Sequence, residues 1–256
     1  MKITILGSGT SQGVPVIACD CEVCTSTNPK DKRLRTSVLI EYKDKVFVID
    51  SGPDFRYQML RANVQRLDAL ILTHEHKDHI AGLDDIRAFN YKMGRKIPVY
   101  ATLNVQNALK REFEYIFSGI KYPGIPEVEL HTIENNKPLI VEGLEFIPIE
   151  VLHYKLPVLG FRIKNFTYIT DANYIADKEK DKIKGTKTLI INALRKEKHI
   201  SHFTMDEAIN LIHELKPETA YLTHISHQLG LHDAINKELP ADIFCAFDGL
   251  ELEFED

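Results

Sequence analysis

Leu72-Thr73-His74-Glu75-His76-Lys77-Asp78-His79 places three histidines and an aspartate within six residues, directly behind an apolar, strand-like run. Residues i and i+2 of an extended segment point to the same side, so His74 and His76 can converge on one point. Asp78 and His79 follow after a bend and can face a second point nearby. Imidazole nitrogens and carboxylate oxygens are the ligands of borderline divalent metals. This density predicts a metal site rather than a polar loop with scattered histidines.

Length and composition favour a soluble enzyme built as a single domain over residues 1–256. Hydrophobic residues make up 44% and charged residues 27% of the chain, which is ordinary for a globular enzyme. The net charge of −5 argues against broad, charge-driven binding of nucleic acid. Apolar runs stay well short of the ~20 residues that a membrane span needs. Because Met1–Gly7 resembles a short strand and not a secretory signal, we expect a cytoplasmic protein.

Three of the four cysteines, Cys19, Cys21 and Cys24, lie within six residues of one another. Cysteines this close in sequence do not form a disulfide framework, and in a reducing compartment such a cluster more often holds a metal than three incidental thiols. Three thiolates provide three corners of a tetrahedral zinc site, and a histidine from elsewhere can provide the fourth. The fourth cysteine, Cys245, lies in the apolar run Ile243–Phe247 and is predicted to be a packed core residue.

The order of predicted elements is mixed, with strands prominent early and the same arrangement repeated after about residue 140. It indicates an α/β fold in which two packed sheets are covered by helices on their outer faces. The glycine-rich turn Gly7–Gly13 does not have the spacing of a dinucleotide site. Helices are predicted at residues 80–93, 104–117, 174–182, 204–215 and 231–239, and a final hairpin at 243–247 and 250–254.

Single candidate ligands recur at the ends of three later strands. His153, Asp171 and His224 each follow a short apolar run. One such residue alone is more often a cap or a solvated turn residue. Because side chains at strand ends converge on one edge of a sheet, their joint appearance extends the predicted metal site.

This set of residues resembles the metallo-β-lactamase superfamily across nearly the whole chain. The resemblance implies a four-layer αβ/βα sandwich, in which two mixed sheets are flanked by helices and a two-metal site lies at the sheet edges. It assigns His74, His76 and His153 to one metal and Asp78, His79 and His224 to the other, with Asp171 bridging. Asp50 matches an acidic position that supports the site by accepting a hydrogen bond from a ligand histidine. Zn²⁺ and Mn²⁺ both suit such ligands.

A narrower resemblance is to the phosphoribosyl cyclic phosphodiesterase family of phosphonate degradation. It is carried by the opening Leu6–Pro15, by the cysteine cluster and by the run Leu222–Gln228. The spacing alone leaves open which of His224 and His227 belongs to which site. The resemblance makes His227 the fourth ligand of a structural Zn²⁺, beside Cys19, Cys21 and Cys24.

His202 and Asp78 are the candidate catalytic residues. Related phosphodiesterases carry a histidine at the position of His202, just before a helix, that protonates the leaving oxygen. A solvated histidine beside a helix start is the alternative interpretation, and His199 is close enough in sequence to compete for the role. Arg195 is either a phosphate ligand or a surface charge. Two metals sharing a water lower its pKa toward about 7, and the resulting hydroxide attacks phosphorus.

The predicted function is therefore hydrolysis of a phosphodiester, most simply a small cyclic ribose phosphate or a nucleotide-type diester. An RNA phosphodiesterase of the tRNA 3′-processing type is the first alternative. The loop Ser118–Pro126 is short for a tRNA-binding arm and has Lys121 as its one charged residue. A non-hydrolytic binding or carrier protein of the same fold is the second alternative. The expected partner is a small phosphodiester, without membrane or nucleic acid, and a homodimer is left open.

Overall fold

The computed structural model of the chain describes residues 1–119 and 122–255. Its strands are β1 (Lys2–Gly7), β2 (Ser37–Tyr42), β3 (Lys45–Ile49), β4 (Ala69–Ile71), β5 (Ile97–Ala101), β6 (Val128–Thr132), β7 (Leu139–Val141), β8 (Leu144–His153), β9 (Leu156–Ile163), β10 (Phe166–Ile169), β11 (Tyr174–Ile175), β12 (Thr188–Asn192), β13 (Thr219–Thr223), β14 (Ile243–Cys245) and β15 (Glu251–Glu253). Its α-helices are α1 (Glu22–Thr25), α2 (Phe55–Arg61), α3 (Lys77–Ile80), α4 (Arg87–Met93), α5 (Leu103–Glu112), α6 (Glu114–Phe117), α7 (Asp177–Ile183), α8 (Met205–Leu215) and α9 (His232–Glu238).

The strands form two mixed sheets. The first has the order β15-β1-β2-β3-β4-β5-β6, and the second has the order β11-β8-β9-β10-β12-β13-β14 with β7 beside β8. Aromatic residues such as Phe47, Phe146 and Tyr168 fill the layer between the sheets. Separate apolar layers lie on the outer faces, beneath α2, α4 and α5 on one side and beneath α8 and α9 on the other. The predicted α/β fold, two mixed sheets flanked by helices in four layers, is confirmed.

Sheet direction brings the predicted ligands to one edge. β3 and β4 run parallel, and β10 runs parallel to β12 and β13. β8 and β10 are each antiparallel to β9 and therefore point the same way. The carboxyl ends of these strands meet at a common edge, where the backbone N–H of Leu159 donates to the carbonyl of Thr73 at 3.1 Å and joins the two sheets.

The predicted helix over residues 80–93 is wrong as a continuous element. α3 ends at Ile80, a 3-10 turn spans Leu83–Ile86, and α4 begins at Arg87. The break lies at Gly82, whose backbone is so close to Gly52 that a Cβ atom there would lie 2.2 Å from the Gly52 carbonyl oxygen. This packing against a distant loop overrides the helical spacing of the apolar residues.

Other predicted elements also need correction. The helix over 104–117 divides at Phe113 into α5 and α6, and the helix over 174–182 begins only after the short strand β11. The final hairpin is wrong, because β14 pairs with β13 in the second sheet while β15 pairs with β1 in the first. Asp248 fixes the crossing between them by accepting hydrogen bonds from Ser8 and from the backbone of Leu34.

Gly119 and residues 122–126 of the predicted loop border a cavity of about 780 Å³ together with α4 and the residues that precede β5. That cavity lies near the amino ends of β5 and β6, whereas the predicted ligands follow carboxyl ends of strands. Lys121 lies outside the described residues. Within 1–119 and 122–255, no helix is both long enough and apolar enough to cross a bilayer.

Gly52→Ala is expected to destabilise the protein by more than about 2 kcal/mol, because a Cβ atom there would lie 2.1 Å from the carbonyl oxygen of Asp78. Urea unfolding measures the loss. Gly143→Ala is the control, because it places a side chain at a φ of 82° with open space around it and isolates the cost of backbone strain, about 1–2 kcal/mol. Equal losses in the two variants would contradict the packing interpretation.

Candidate metal centre

Three strand ends turn into the centre through residues in the left-handed backbone region. Asp50 follows β3 with a φ of 64°, while Asp171 after β10 and His224 after β13 both have a φ of 54°. Aspartate and histidine tolerate this region better than branched residues, yet each such residue stores local strain. Three such residues at one edge of the sheets indicate that the direction of these side chains is maintained at the cost of backbone strain.

The residues expected at the second metal position converge closely. The ligand atoms of Asp78, His79, Asp171 and His224 all lie within 4.8 Å of one another. His79 Nε2 is 3.2 Å from a carboxylate oxygen of Asp78 and 3.2 Å from one of Asp171, and His224 Nδ1 is 3.2 Å from the same Asp171 oxygen. Atoms bound ~2.0–2.2 Å from one ion at tetrahedral or octahedral angles have roughly this spacing.

The residues expected at the first position are neighbours but are gathered less tightly. The ring centroids of His74, His76 and His153 lie 4.6, 5.0 and 5.9 Å apart. The ligand atoms of His153 come within 4.8 Å of those of Asp171 and His202. Asp171 thus lies close to one member of the first group, His153, and within the second group, as a bridging ligand would.

Hydrogen bonds occupy the outer nitrogen of three of these histidines. Nδ1 of His74 is 2.9 Å from the Thr73 hydroxyl, Nδ1 of His79 is 2.6 Å from Asp50, and Nδ1 of His153 is 2.8 Å from the carbonyl of Ser201. For His74 the opposite nitrogen, Nε2, is buried without a hydrogen-bond partner among the described residues, whereas Nε2 of His79 faces carboxylate oxygens of Asp78 and Asp171 at 3.2 Å without hydrogen-bond geometry. A buried polar atom left unpaired costs about 1–3 kcal/mol, which coordination to a cation would relieve. The residues therefore fit a divalent metal.

The charges at the centre also call for a cation. Burial lowers the pKa of His79, but Asp78, Asp171 and Asp50 raise it by more, so it lies well above its usual range. Burial raises the pKa of Asp171, but His224 and His79 hold it well below its usual range. Carboxylates that remain ionised when buried need positive charge beside them, and metal ions provide it.

A second cluster lies around His227. The Sγ atoms of Cys19 and Cys21 are each 3.3 Å from His227 Nδ1, and that of Cys24 is 3.6 Å away. Four such ligands at this spacing match a tetrahedral zinc site. The pKa of Cys21 is lowered to about 6, first by a backbone hydrogen bond from Cys24 and then by His227, whereas burial raises the pKa of Cys24 to about 11. A bound cation would hold both as the thiolates that a metal binds. His227 lies here, and His224 lies at the carboxylates.

Comparison with known proteins identifies the family of this chain. The sequence model of the β-lactamase superfamily domain family matches residues 45–225.

The chain belongs to the metallo-β-lactamase superfamily.

Within that superfamily, a crystal structure of a diphosphatase from the PhnP family is 41% identical, with a TM-score of 0.93, over 99% of this chain and 96% of that one. A curated octanoyltransferase of Porphyromonas gingivalis is 40% identical over 98% of this chain and 51% of its own length. A ribonuclease Z of Staphylococcus epidermidis is 25% identical over 64% of this chain and 49% of its own. The chain thus spans about half the length of the curated relatives it matches. The superfamily resemblance is confirmed, and the PhnP family match agrees with the narrower one.

His202 lies between the two groups of predicted ligands. Its ring centroid is 4.5 Å from that of His153 and 4.8 Å from that of His224, and its Nδ1 is 3.9 Å from Asp171. The capping box of α8, in which Thr204 and Glu207 bond each other's backbone, fixes the segment that carries it. Burial, followed by the effect of His224, lowers the pKa of His202 to about 2.

The competing residues lie farther out. The ring of His199 is 5.1 Å from that of His202, and its Nδ1 is 3.3 Å from the Ser201 hydroxyl. The guanidinium of Arg195 donates to Gln228 at 2.8 Å and to the carbonyls of Glu197 and Lys198. Arg195 thus stabilises the turn at residues 195–198, and these contacts give no support to a phosphate-binding role.

Sequence reasoning missed two groups that support the predicted metal site, the side chain of Asn192 and the carbonyl of Ser201. Asn192 ends β12, is fully buried, and bonds both the N–H and the carbonyl of Ala172, which holds the turn after Asp171. A polar residue after the apolar run Leu189–Ile191 is the same signal that revealed Asp171. The carbonyl of Ser201 had no comparable signal, because any residue type supplies a carbonyl.

Cys21→Ser is expected to remove the zinc from the purified protein's cysteine cluster and to lower its thermal stability, because a serine hydroxyl is a far poorer zinc ligand than a thiolate. Elemental analysis measures the zinc content per chain. Cys245→Ser is the control, since Cys245 is buried in the core and its replacement costs stability without changing zinc content. A Cys21→Ser variant that retains wild-type zinc would refute the site.

Proposed function

We propose that this chain is a metal-dependent hydrolase that cleaves phosphodiesters. The observation that carries the proposal is the position of His202, a buried imidazole between the two predicted metal positions and 3.9 Å from the carboxylate that both share. A hydrolase that expels an alkoxide needs a proton donor at this place. The 41% identity to a diphosphatase of the PhnP family supports the same class of chemistry.

Each group of residues has a separate task in this proposal. His74, His76 and His153 would hold one divalent ion and Asp78, His79 and His224 the other, with Asp171 within reach of both. Bound ions supply an activated water and neutralise charge on the phosphate oxygens. His202 then holds the proton for the departing oxygen. A phosphate beside His202 adds the negative charge that favours its protonated form.

The proposed substrate is a small cyclic ribose phosphate or a nucleotide-type diester. A strained five-membered cyclic phosphate demands less of the proton donor than an unstrained diester does. A diphosphate linkage is the second candidate, because the 41% identical structure is that of a diphosphatase. Hydrolysis of that linkage makes the same demands for charge neutralisation and an activated water.

Processing of RNA is an alternative that the ribonuclease Z similarity supports over 64% of the chain. Binding of tRNA requires positive charge along the path of the phosphate backbone. The net charge of −5 and the short loop Ser118–Pro126 do not provide such a surface. Small diesters therefore remain the preferred substrates.

Acyl transfer is a different class, suggested by the similarity to a protein named octanoyltransferase. That similarity covers 51% of the relative, so its name describes a protein about twice as long. Acyl transfer through a covalent intermediate needs an accessible nucleophile such as a cysteine thiolate. Cys19, Cys21 and Cys24 surround His227, and Cys245 is buried, so none of the four is placed as such a nucleophile.

A non-hydrolytic carrier protein of the same fold would need no proton donor at the position of His202.

The proposed activity is tested by turnover of the metal-reconstituted protein on five probes: a cyclic ribose phosphate, 2′,3′-cyclic nucleotides, bis-p-nitrophenyl phosphate, a diphosphate-bridged dinucleotide and a tRNA precursor. We expect turnover of the small diesters and none of the tRNA precursor. Protein with full metal loading that cleaves no probe would refute the proposed function. Preference for the tRNA precursor would replace it with RNA processing.

His202→Ala is expected to lower kcat on a 2′,3′-cyclic nucleotide by about 10²–10⁴-fold, because the departing ribose alkoxide loses its proton donor. The loss on bis-p-nitrophenyl phosphate should be much smaller, because p-nitrophenolate departs without being protonated. Metal content, measured by elemental analysis, should stay at the wild-type value. His199→Ala tests the competing assignment and should change kcat far less.

His213→Ala is the control for both variants, because His213 is exposed on α8. A kcat unchanged in His202→Ala but lowered in His199→Ala would transfer the role to His199. Loss of metal from His202→Ala would instead make His202 a ligand.

A further inference from the structure

Thr73 lies between a buried carboxylate and a predicted metal ligand. Its hydroxyl donates to Asp50 Oδ2 at 2.8 Å, and the same oxygen is 2.9 Å from His74 Nδ1. Its backbone N–H donates to the other carboxylate oxygen of Asp50 at 2.9 Å. Thr73, His74 and Asp50 are all at most 1% exposed, so water does not compete for these bonds.

A count of protons determines the direction of the chain of hydrogen bonds. A threonine hydroxyl has one proton, and that proton is given to Asp50. Towards His74 the hydroxyl oxygen can therefore only accept, so Nδ1 of His74 must carry the proton. The lone pair of His74 then lies on Nε2, which is the buried atom without a hydrogen-bond partner among the described residues.

Asp50 acts directly on the other metal position. His79 Nδ1 lies 2.6 Å from Asp50 Oδ2, the oxygen that also accepts from Thr73. His79 Nε2 is likewise buried without a hydrogen-bond partner in the described part of the chain, and it faces Asp78 and Asp171. Asp50 Oδ2 is thus linked to His79 by one hydrogen bond and to His74 by two hydrogen bonds in sequence, through the Thr73 hydroxyl.

We propose that Thr73 is a positioning residue that extends the orienting effect of Asp50 to His74, so that one buried carboxylate fixes the ligand tautomer at both metal positions. The inference rests on the proposed two-metal function. It explains why a hydroxyl residue stands directly before His74: an alanine or valine there would leave His74 Nδ1 unpaired in a buried place. The role belongs to the hydroxyl and not to the threonine methyl group.

The hydroxyl can be removed with little change of shape. Thr73→Val keeps the volume and removes the oxygen, whereas Thr73→Ser keeps the oxygen and removes the methyl group. Removing a partner that orients a ligand typically costs 10–100-fold in metal affinity. We expect Thr73→Val to weaken one of the two Zn²⁺ affinities of the centre by that factor, while Thr73→Ser stays within about threefold of wild type.

The measurement is titration with Zn²⁺ against a competing chelator, on protein whose cysteine cluster is already loaded. Thr167→Val is the matched control, because Thr167 is a fully buried threonine on β10 whose hydroxyl bonds Thr186 and none of the predicted ligands. It should cost stability and leave both Zn²⁺ affinities unchanged. Equal affinities in wild type and Thr73→Val, or equal losses in Thr73→Val and Thr73→Ser, would overturn the inference.

A second readout remains usable if Thr73→Val does not fold. In ¹⁵N-histidine-labelled wild-type protein, His74 should show the Nδ1–H tautomer with a slowly exchanging proton, and in Thr73→Ser that signal should persist. An Nε2–H tautomer of His74 would overturn the inference. Wild-type protein that takes up no metal beyond the cysteine cluster would instead refute the proposed function and leave the tautomer result standing.

Discussion

Charge that is buried at one edge of two sheets is the constraint on which this structure depends. Asp50 and Asp171 are almost fully buried, and Asp78 lies beside them. An unpaired charge removed from water costs several kcal/mol, so carboxylates of this kind persist only where positive charge or donated hydrogen bonds surround them. His79 meets all three within 3.2 Å and occupies the middle of the cluster. A cation bound at the nitrogens of the neighbouring histidines would complete the charge balance.

The fold meets this constraint by bringing ends of distant strands together. Parallel pairing orders β3 with β4 and β10 with β12 and β13, so that their carboxyl ends share one edge. Left-handed residues at Asp50, Asp171 and His224 then turn the chain sharply at the point of use. Buried polar side chains such as Asn192 hold those turns. The strain is local, while the sheets that sustain it are extensive and well packed.

The cysteine cluster is connected to the predicted metal centre through the loop at residues 8–16 and the segment at residues 224–227. Ile225, between His224 and His227, pairs with Gly9, and the Thr10 hydroxyl lies 3.3 Å from His224. The buried guanidinium of Arg33 forms hydrogen bonds with Ser8, the carbonyl of Ala246 and His232. These bonds connect the loop that begins at Ser8 to α9 and to the segment after β14. A metal at the cysteines would therefore stabilise the segment that carries His224, a predicted ligand of the other site.

By itself, the sequence determined the features that arise from local geometry and ligand chemistry. The spacing of His74, His76, Asp78 and His79 behind an apolar strand indicated a metal site, and the cysteine spacing indicated another, because i, i+2 geometry and ligand preference act over a few residues. Tertiary structure alone decided what depends on contacts between distant segments. It divided the helix at Gly82 and sent β14 and β15 to different sheets. It also placed His224 and His227 in separate clusters, which the family resemblance implied and the spacing alone left open. It also joined Thr73 to Asp50, since only parallel pairing of β3 and β4 brings residues 23 positions apart within hydrogen-bond distance.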